Sequence, residues 1–423
     1  MTTVAGEPES TVDPGGAEPA VSTVDLDRPV ALHPLTYLDE GSEVTVGRAD
    51  VDSYCVLPAD GAALLRELER GTTPAQAAAW YEREYGELVD MAEFLAALAE
   101  LEFLVAAGEQ TATAEPVRWQ RLGRAAFSPP AWLLYAALLG GAVLLMVRQP
   151  ALAPHYRNLF FTPYMTVLEL VLFVGQFPLL LIHEGFHTLA GRRLGLRSRL
   201  GIGRRLYFVV FETSMDGLVT VPRRQRYLPM LAGMLADLLV VAVLTMIAAA
   251  VRNPDGSFPL LGGVCLALAF GTVLRFVWQF YFYLQTDLYH VIVTVLGCLN
   301  LQKTARRMVA NRWHRLTGHP ERASDESLWH PRDRAVARWY SWLLVVGYAF
   351  SIGTLAIAAL PATVLMLGKV FAHLAVGNVD GLLGMLDSIV FLTLNIGQFA
   401  LAGWLGVRER RRRKQSAAVH VLD

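Results

Sequence analysis

The chain has 423 residues, 54% of them hydrophobic, a formal net charge of −1 and a positive mean hydropathy. That balance excludes an ordinary soluble enzyme and fits a membrane protein with some water-exposed mass, and the even charge offers no footprint for nucleic acid. Three cysteines without CxxC spacing exclude a disulfide framework and a thiolate zinc site.

Residues 1–35 are rich in Thr, Pro, Glu and Asp, without the basic start or apolar core of a signal peptide, and read as a disordered acidic tail. Residues 36–107 are different. Two strand-like runs, "SEVTV" and "SYCVL", precede three amphipathic helical stretches with Leu64, Leu65 and Leu68, then Ala77, Trp80 and Tyr81, then Phe94, Leu95, Leu98 and Leu101 on their apolar faces. Thr73-Pro74-Ala75-Gln76 and Asp90-Met91-Ala92-Glu93 have the form of capping boxes, which satisfy the free N–H groups opening a helix. This order predicts a small α+β winged-helix-like domain. It has no strongly basic face, so DNA binding is not expected.

A linker, 108–129, carries Arg118, Arg121 and Arg124. Apolar runs of bilayer length follow near 130–147, 163–190, 227–250 and 258–285, giving a core of four spans over 130–302. A basic loop, 303–337, separates them from two further runs near 338–361 and 382–406, and a basic tail, 407–423, closes the chain. Between the second and third spans lie nine arginines from Arg192 to Arg226. Lysine and arginine accumulate on the cytoplasmic side, so six spans with both termini cytoplasmic satisfy every loop. The predicted fold class is an all-α polytopic membrane protein with a small N-terminal α+β domain.

The second span ends in His183-Glu184-Gly185-Phe186-His187, an HExxH. On a helix the two histidines share a face and both imidazoles can reach one Zn²⁺, while Glu184 can take a proton from water as general base. Three titratable groups within five positions of an apolar run need a shared reason, because each is costly there alone. A three-ligand zinc site needs one more group. Asp255, in "NPDG", follows the third span and falls on the opposite side of the membrane, so it is set aside. Asp287 lies at the inner end of the fourth span, on the side of His183 and His187. His290, one turn on, is the alternative. Counted at about 1.5 Å per residue, Asp287 lies farther along its span than His183 does along its own, so tilt or a break near the end of the fourth span is required. Glu169 and Arg275 are intramembrane charges that pair or hydrate a cavity.

Between the second and third spans, "LYFVVFETSMDGLVTV" reads as a β-hairpin turning at Ser214-Met215-Asp216-Gly217. Phe208, Val210 and Val219 are its candidate substrate-binding positions, since an exposed strand edge can hold a peptide by strand addition.

HEGFH in a membrane helix, Ala232-Gly233-Met234-Leu235-Ala236-Asp237 in the next span and an aspartate two spans after HExxH resemble the site-2 proteases, intramembrane zinc metallopeptidases. The likeness covers residues 163–302. It implies His183, His187 and Asp287 as ligands of one Zn²⁺ and Glu184 as catalytic base, although Thr286-Asp287-Leu288-Tyr289 departs from the family's usual Leu-Asp-Gly and Asp237 stands where many members have Asn. "TDLYHVIVTVLGCLNL" is similar to a bacterial branch of peptide zinc metalloproteases associated with ribosomally made, modified peptides. Residues 36–107 resemble the PqqD-like domains that bind leader peptides. The resemblance implies a zinc endopeptidase that removes a leader or matures a modified precursor peptide, in company with modifying enzymes or an exporter. Proteolysis of a membrane-anchored signalling factor, and a non-catalytic immunity or export partner, are the alternatives.

Overall fold

The computed structural model describes residues 2–5, 25–105 except 49 and 52, 117–354 except 206 and 207, and isolated positions between 356 and 393. The chain is mostly helical and divides into two compact units. One comprises residues 1–134, 182–236 and 279–344, the other 135–181, 237–278 and 345–423.

The first unit opens with an antiparallel sheet. Strands β1 (Thr2–Ala5), β2 (Thr36–Glu40), β3 (Glu43–Arg48) and β4 (Ser53–Pro58) lie in the order β1-β4-β3-β2. The sequence signals β3 and β4 but not β1, which falls in the stretch expected to be a disordered tail and is held by pairing with β4, nor β2, whose Thr-Tyr-Leu-Asp-Glu is half-exposed and has only a weak apolar alternation. Helices α1 (Ala59–Glu69), α2 (Pro74–Tyr85) and α3 (Met91–Glu100) follow. Thr73 and Gln76 form the reciprocal capping box, Pro74 opens α2 and Gly86 ends it in the left-handed region at φ 74°. The Asp90 side chain accepts from the Glu93 N–H to start α3. Leu64, Leu65, Leu68, Leu95, Leu98 and Phe103 close over Val46 and Cys55 as one core.

Five helices are long and apolar enough to cross a membrane: α5 (Pro129–Arg148), α6 (Met165–Arg193), α7 (Arg223–Ala250), α8 (Leu260–Trp278) and α11 (Pro331–Thr354). Leu133 on α5 and Phe173 on α6 are 75% and 76% exposed, and such side chains facing outwards mark surfaces made for lipid. The expected sixth span, 382–406, and the basic tail lie outside the described residues apart from isolated positions. One of those, Asp387, accepts hydrogen bonds from the Met165 and Thr166 N–H groups, capping the start of α6.

Three further helices are short or surface-lying: α4 (Gln120–Ala126), α9 (Asp287–Leu296) and α10 (Leu301–Leu316). A hairpin of β5 (Arg197–Arg205) and β6 (Phe208–Asp216) joins α6 to α7, as expected, but its turn is elsewhere. The register pairs Arg205 with Phe208 at one end of the hairpin and Asp216 with Arg197 at the other, so the strands do not reverse at Ser214 to Gly217. Ser214-Met215-Asp216-Gly217 is therefore the exit of β6, where Gly217 adopts φ 84° and leads into a 3₁₀ turn, Leu218–Thr220. Val219 belongs to that turn rather than to a strand, and its carbonyl accepts from Arg226.

Candidate metal centre

Helix α6 ends at Arg193, nearly two turns beyond His187, and Gly195 then turns back at φ 82° with its N–H bonded to the Arg192 carbonyl. The helical spacing sets both imidazoles on one face, and the structure brings Asp287 to them. His183 Nε2 lies 3.3 Å from His187 Nε2, and Asp287 Oδ2 lies 3.2 Å and 3.1 Å from the two nitrogens. Both histidines are buried, while the Asp287 side chain keeps 23% of its surface open.

Of tilt and a break, the two ways to bring Asp287 to the histidines, the structure has the break. The apolar run predicted over 258–285 is not one helix. Helix α8 stops at Trp278, the chain turns through a 3₁₀ segment, Phe282–Leu284, and Gln285 sits at φ 58° before α9 begins at Asp287 itself. Gln279 fixes the new helix start. Its carbonyl accepts from Thr286 Oγ1 at 2.6 Å and its side-chain Oε1 accepts from the Asp287 N–H at 3.1 Å. His290, exposed on α9, is outside the cluster of His183, His187 and Asp287. Asp255 lies in the loop between α7 and α8, where its Oδ1 accepts from the Ser257 N–H and hydroxyl.

The surroundings orient the donors. His187 Nδ1 is 2.7 Å from the Pro229 carbonyl on α7. A carbonyl can only accept, so Nδ1 carries the proton and Nε2 is left with a lone pair facing His183 and Asp287. Gly233, one turn beyond Pro229, provides the space in front. A Cβ there would lie 2.2 Å from His187 Nε2 and 2.5 Å from His183 Nε2. A zinc ion sits roughly 2.0–2.2 Å from nitrogen and oxygen ligands, which in a tetrahedral site stand about 3.3–3.6 Å apart. The observed separations are slightly shorter, and the glycine leaves the corresponding volume clear, so the residues fit a small tetrahedral cation.

Glu184 is buried beside the cluster. Its Oε2 accepts a hydrogen bond from Thr213 Oγ1 on β6 at 2.7 Å, which ties the hairpin to the helix at the glutamate. The other hairpin candidates, Phe208 and Val210, lie on the same strand. The sheet of the N-terminal domain reaches the same neighbourhood, since Glu40, at the end of β2, pairs with Arg223 Nε at 3.1 Å and Arg226 at 3.6 Å where α7 begins. Sequence reasoning missed Thr213, Gln279 and this ion pair. Gly233 it noticed only as part of a resemblance.

No family model, curated protein or solved structure matches this chain.

Proposed function

We propose that the protein is a zinc-dependent endopeptidase of the bacterial cell membrane, with both termini cytoplasmic, that matures a ribosomally made precursor peptide by removing its leader. One observation carries the reading: two imidazole nitrogens and one carboxylate oxygen converge with a buried glutamate next to them, at the end of a helix apolar enough to span a bilayer.

His183, His187 and Asp287 would hold the ion, which when bound supplies Lewis acidity towards water and a peptide carbonyl. The chain's own residues do the rest. Glu184 removes a proton from the attacking water as a bond forms from its oxygen to the peptide carbon. When the C–N bond breaks, Glu184 returns that proton to the departing amine. The Thr213 hydroxyl holds one carboxylate oxygen in place and leaves the other to carry the proton. Strand β6, tied to Glu184 by that bond, gives an extended backbone beside the reacting bond, and a peptide there needs no helix to unwind a second time. The Glu40 pairing with Arg223 and Arg226 supports a leader-binding role for residues 36–107, because it holds the sheet beside the hairpin's exit.

The test compares peptides released by cells producing the wild-type chain with those from cells producing Glu184→Gln, by mass spectrometry. Peptides cut only in the presence of Glu184 would identify the substrate, and identical peptide profiles would contradict the reading.

A further inference from the structure

Arg124 and Arg193 both line an open cleft of about 470 Å³ whose remaining walls are Phe127, Ser128, Pro129 and Leu194. Neither guanidinium has a hydrogen-bond or ion-pair partner among the described residues, and no carboxylate lines the cleft. Two cations with nothing to neutralise them therefore share one concave surface.

The position of the cleft identifies what it faces. Pro129 opens one candidate span, α5, and Arg193 closes another, α6, so two span ends meet at the level of lipid headgroups. Trp119, whose carbonyl accepts from the Gly123 N–H, and Trp132, whose ring lies 6.4 Å from that of Phe127, are both exposed, as aromatic residues are at a membrane interface. From the rim, the outward face of α5 continues with exposed Leu133 and Leu134, a path for acyl chains. Prolines at 129 and 130 have no N–H to give, so the arginines, not the helix start, are the donors on offer.

The cleft is also firmly built. Gly123 packs so tightly on the end of α6 that a Cβ would come within 2.4 Å of the Leu189 carbonyl oxygen and 2.8 Å of the Arg193 nitrogen. Phe127, a buried residue in the wall of the cleft, meets the Phe186 ring edge to face at 6.1 Å.

We propose that this cleft binds the phosphate of an anionic membrane phospholipid, clasped between Arg124 and Arg193. Guanidinium groups match phosphate oxygens in a fork geometry, and basic pockets between membrane helices are suited to such headgroups. A zwitterionic lipid fits less well, because its ammonium would sit against the same two cations. The inference does not depend on the chemistry at His183 and His187.

Native mass spectrometry of the full-length protein tests it, with phosphatidylglycerol, phosphatidylcholine and inorganic phosphate as probes. Wild type should retain phosphatidylglycerol roughly ten-fold more tightly than phosphatidylcholine. Arg124→Gln with Arg193→Gln should abolish that preference, whereas Arg118→Gln with Arg121→Gln, which removes equal charge from the same linker, should leave it intact. Arg124→Lys with Arg193→Lys, keeping the charge and the fold, should lower the preference without erasing it. Equal loss in both glutamine pairs, or inorganic phosphate held as tightly as the lipid, would overturn the proposal.

Discussion

Gly233 stands in front of His187 so closely that a side chain of even one carbon would lie 2.2 Å from Nε2, in the space a metal ligand atom must face. Alanine is the better helix former by about 1 kcal/mol, so Gly233→Ala should leave α7 helical. Its imidazoles can rotate aside, but not while both bind one ion. The variant is expected to purify as a folded protein with at most a tenth of the wild-type zinc content, measured by inductively coupled plasma mass spectrometry. Full zinc occupancy in Gly233→Ala would show that the ion lies elsewhere.

Gln279 holds Asp287 by its backbone and not by its carboxylate. Replacing it with leucine should loosen the start of α9 while retaining all three donors. Changes to groups that orient metal ligands typically cost about 10- to 100-fold in affinity. Zinc affinity of Gln279→Leu, measured by competition with a chelator, should fall within that range, and an unchanged affinity would mean that Asp287 needs no such support.

HEGFH was readable because helical spacing alone aligns His183 with His187 across four residues. That the fourth span needed either tilt or a break was also readable, from a mismatch of lengths. Where it falls was not, since Gln279 acts through Thr286 and Asp287 by tertiary hydrogen bonds that leave no periodic trace. The hairpin shows the converse error. Ser214 to Gly217 has the composition of a turn, yet pairing of Ser214 to Asp216 with Arg197 to Arg199 keeps most of it in a strand. Thr213 gives no signal at all until the fold places it against Glu184.

Arg275 finds its carboxylate in Asp237, which is wholly buried, at 2.6 Å, with Gln176 Oε1 at 3.2 Å from the same guanidinium. Breaking a buried pair strands the remaining charge, at a cost of roughly 3–5 kcal/mol. Asp237→Leu should therefore lower the thermal midpoint strongly, and adding Arg275→Met should restore most of it. Additive losses in the double variant would show that the two residues act separately.

In the N-terminal domain, Tyr81 donates to Asp60 at 2.5 Å. That bond holds the Asp60 carboxyl below its ordinary value of 3.8, and the carboxylate in turn pushes the Tyr81 hydroxyl up to about 12 from 10.0. The depressed carboxyl gives stability that is present above 3.8 and fades as pH falls through its folded value. The raised hydroxyl gives stability that is present below 10.0 and fades as pH rises towards about 12. The thermal midpoint of wild type, followed by circular dichroism, should exceed that of Tyr81→Phe across neutral pH, with the gap narrowing at both extremes. A gap independent of pH would assign the difference to packing alone.

The most direct test of the metal centre is the zinc content per chain of the purified wild type, Glu184→Gln and Asp287→Ala. About one zinc is expected in the first two, because Glu184 serves as base and not as ligand, and loss of zinc in the third. Retention of zinc by Asp287→Ala, or its absence from the wild type, would contradict it.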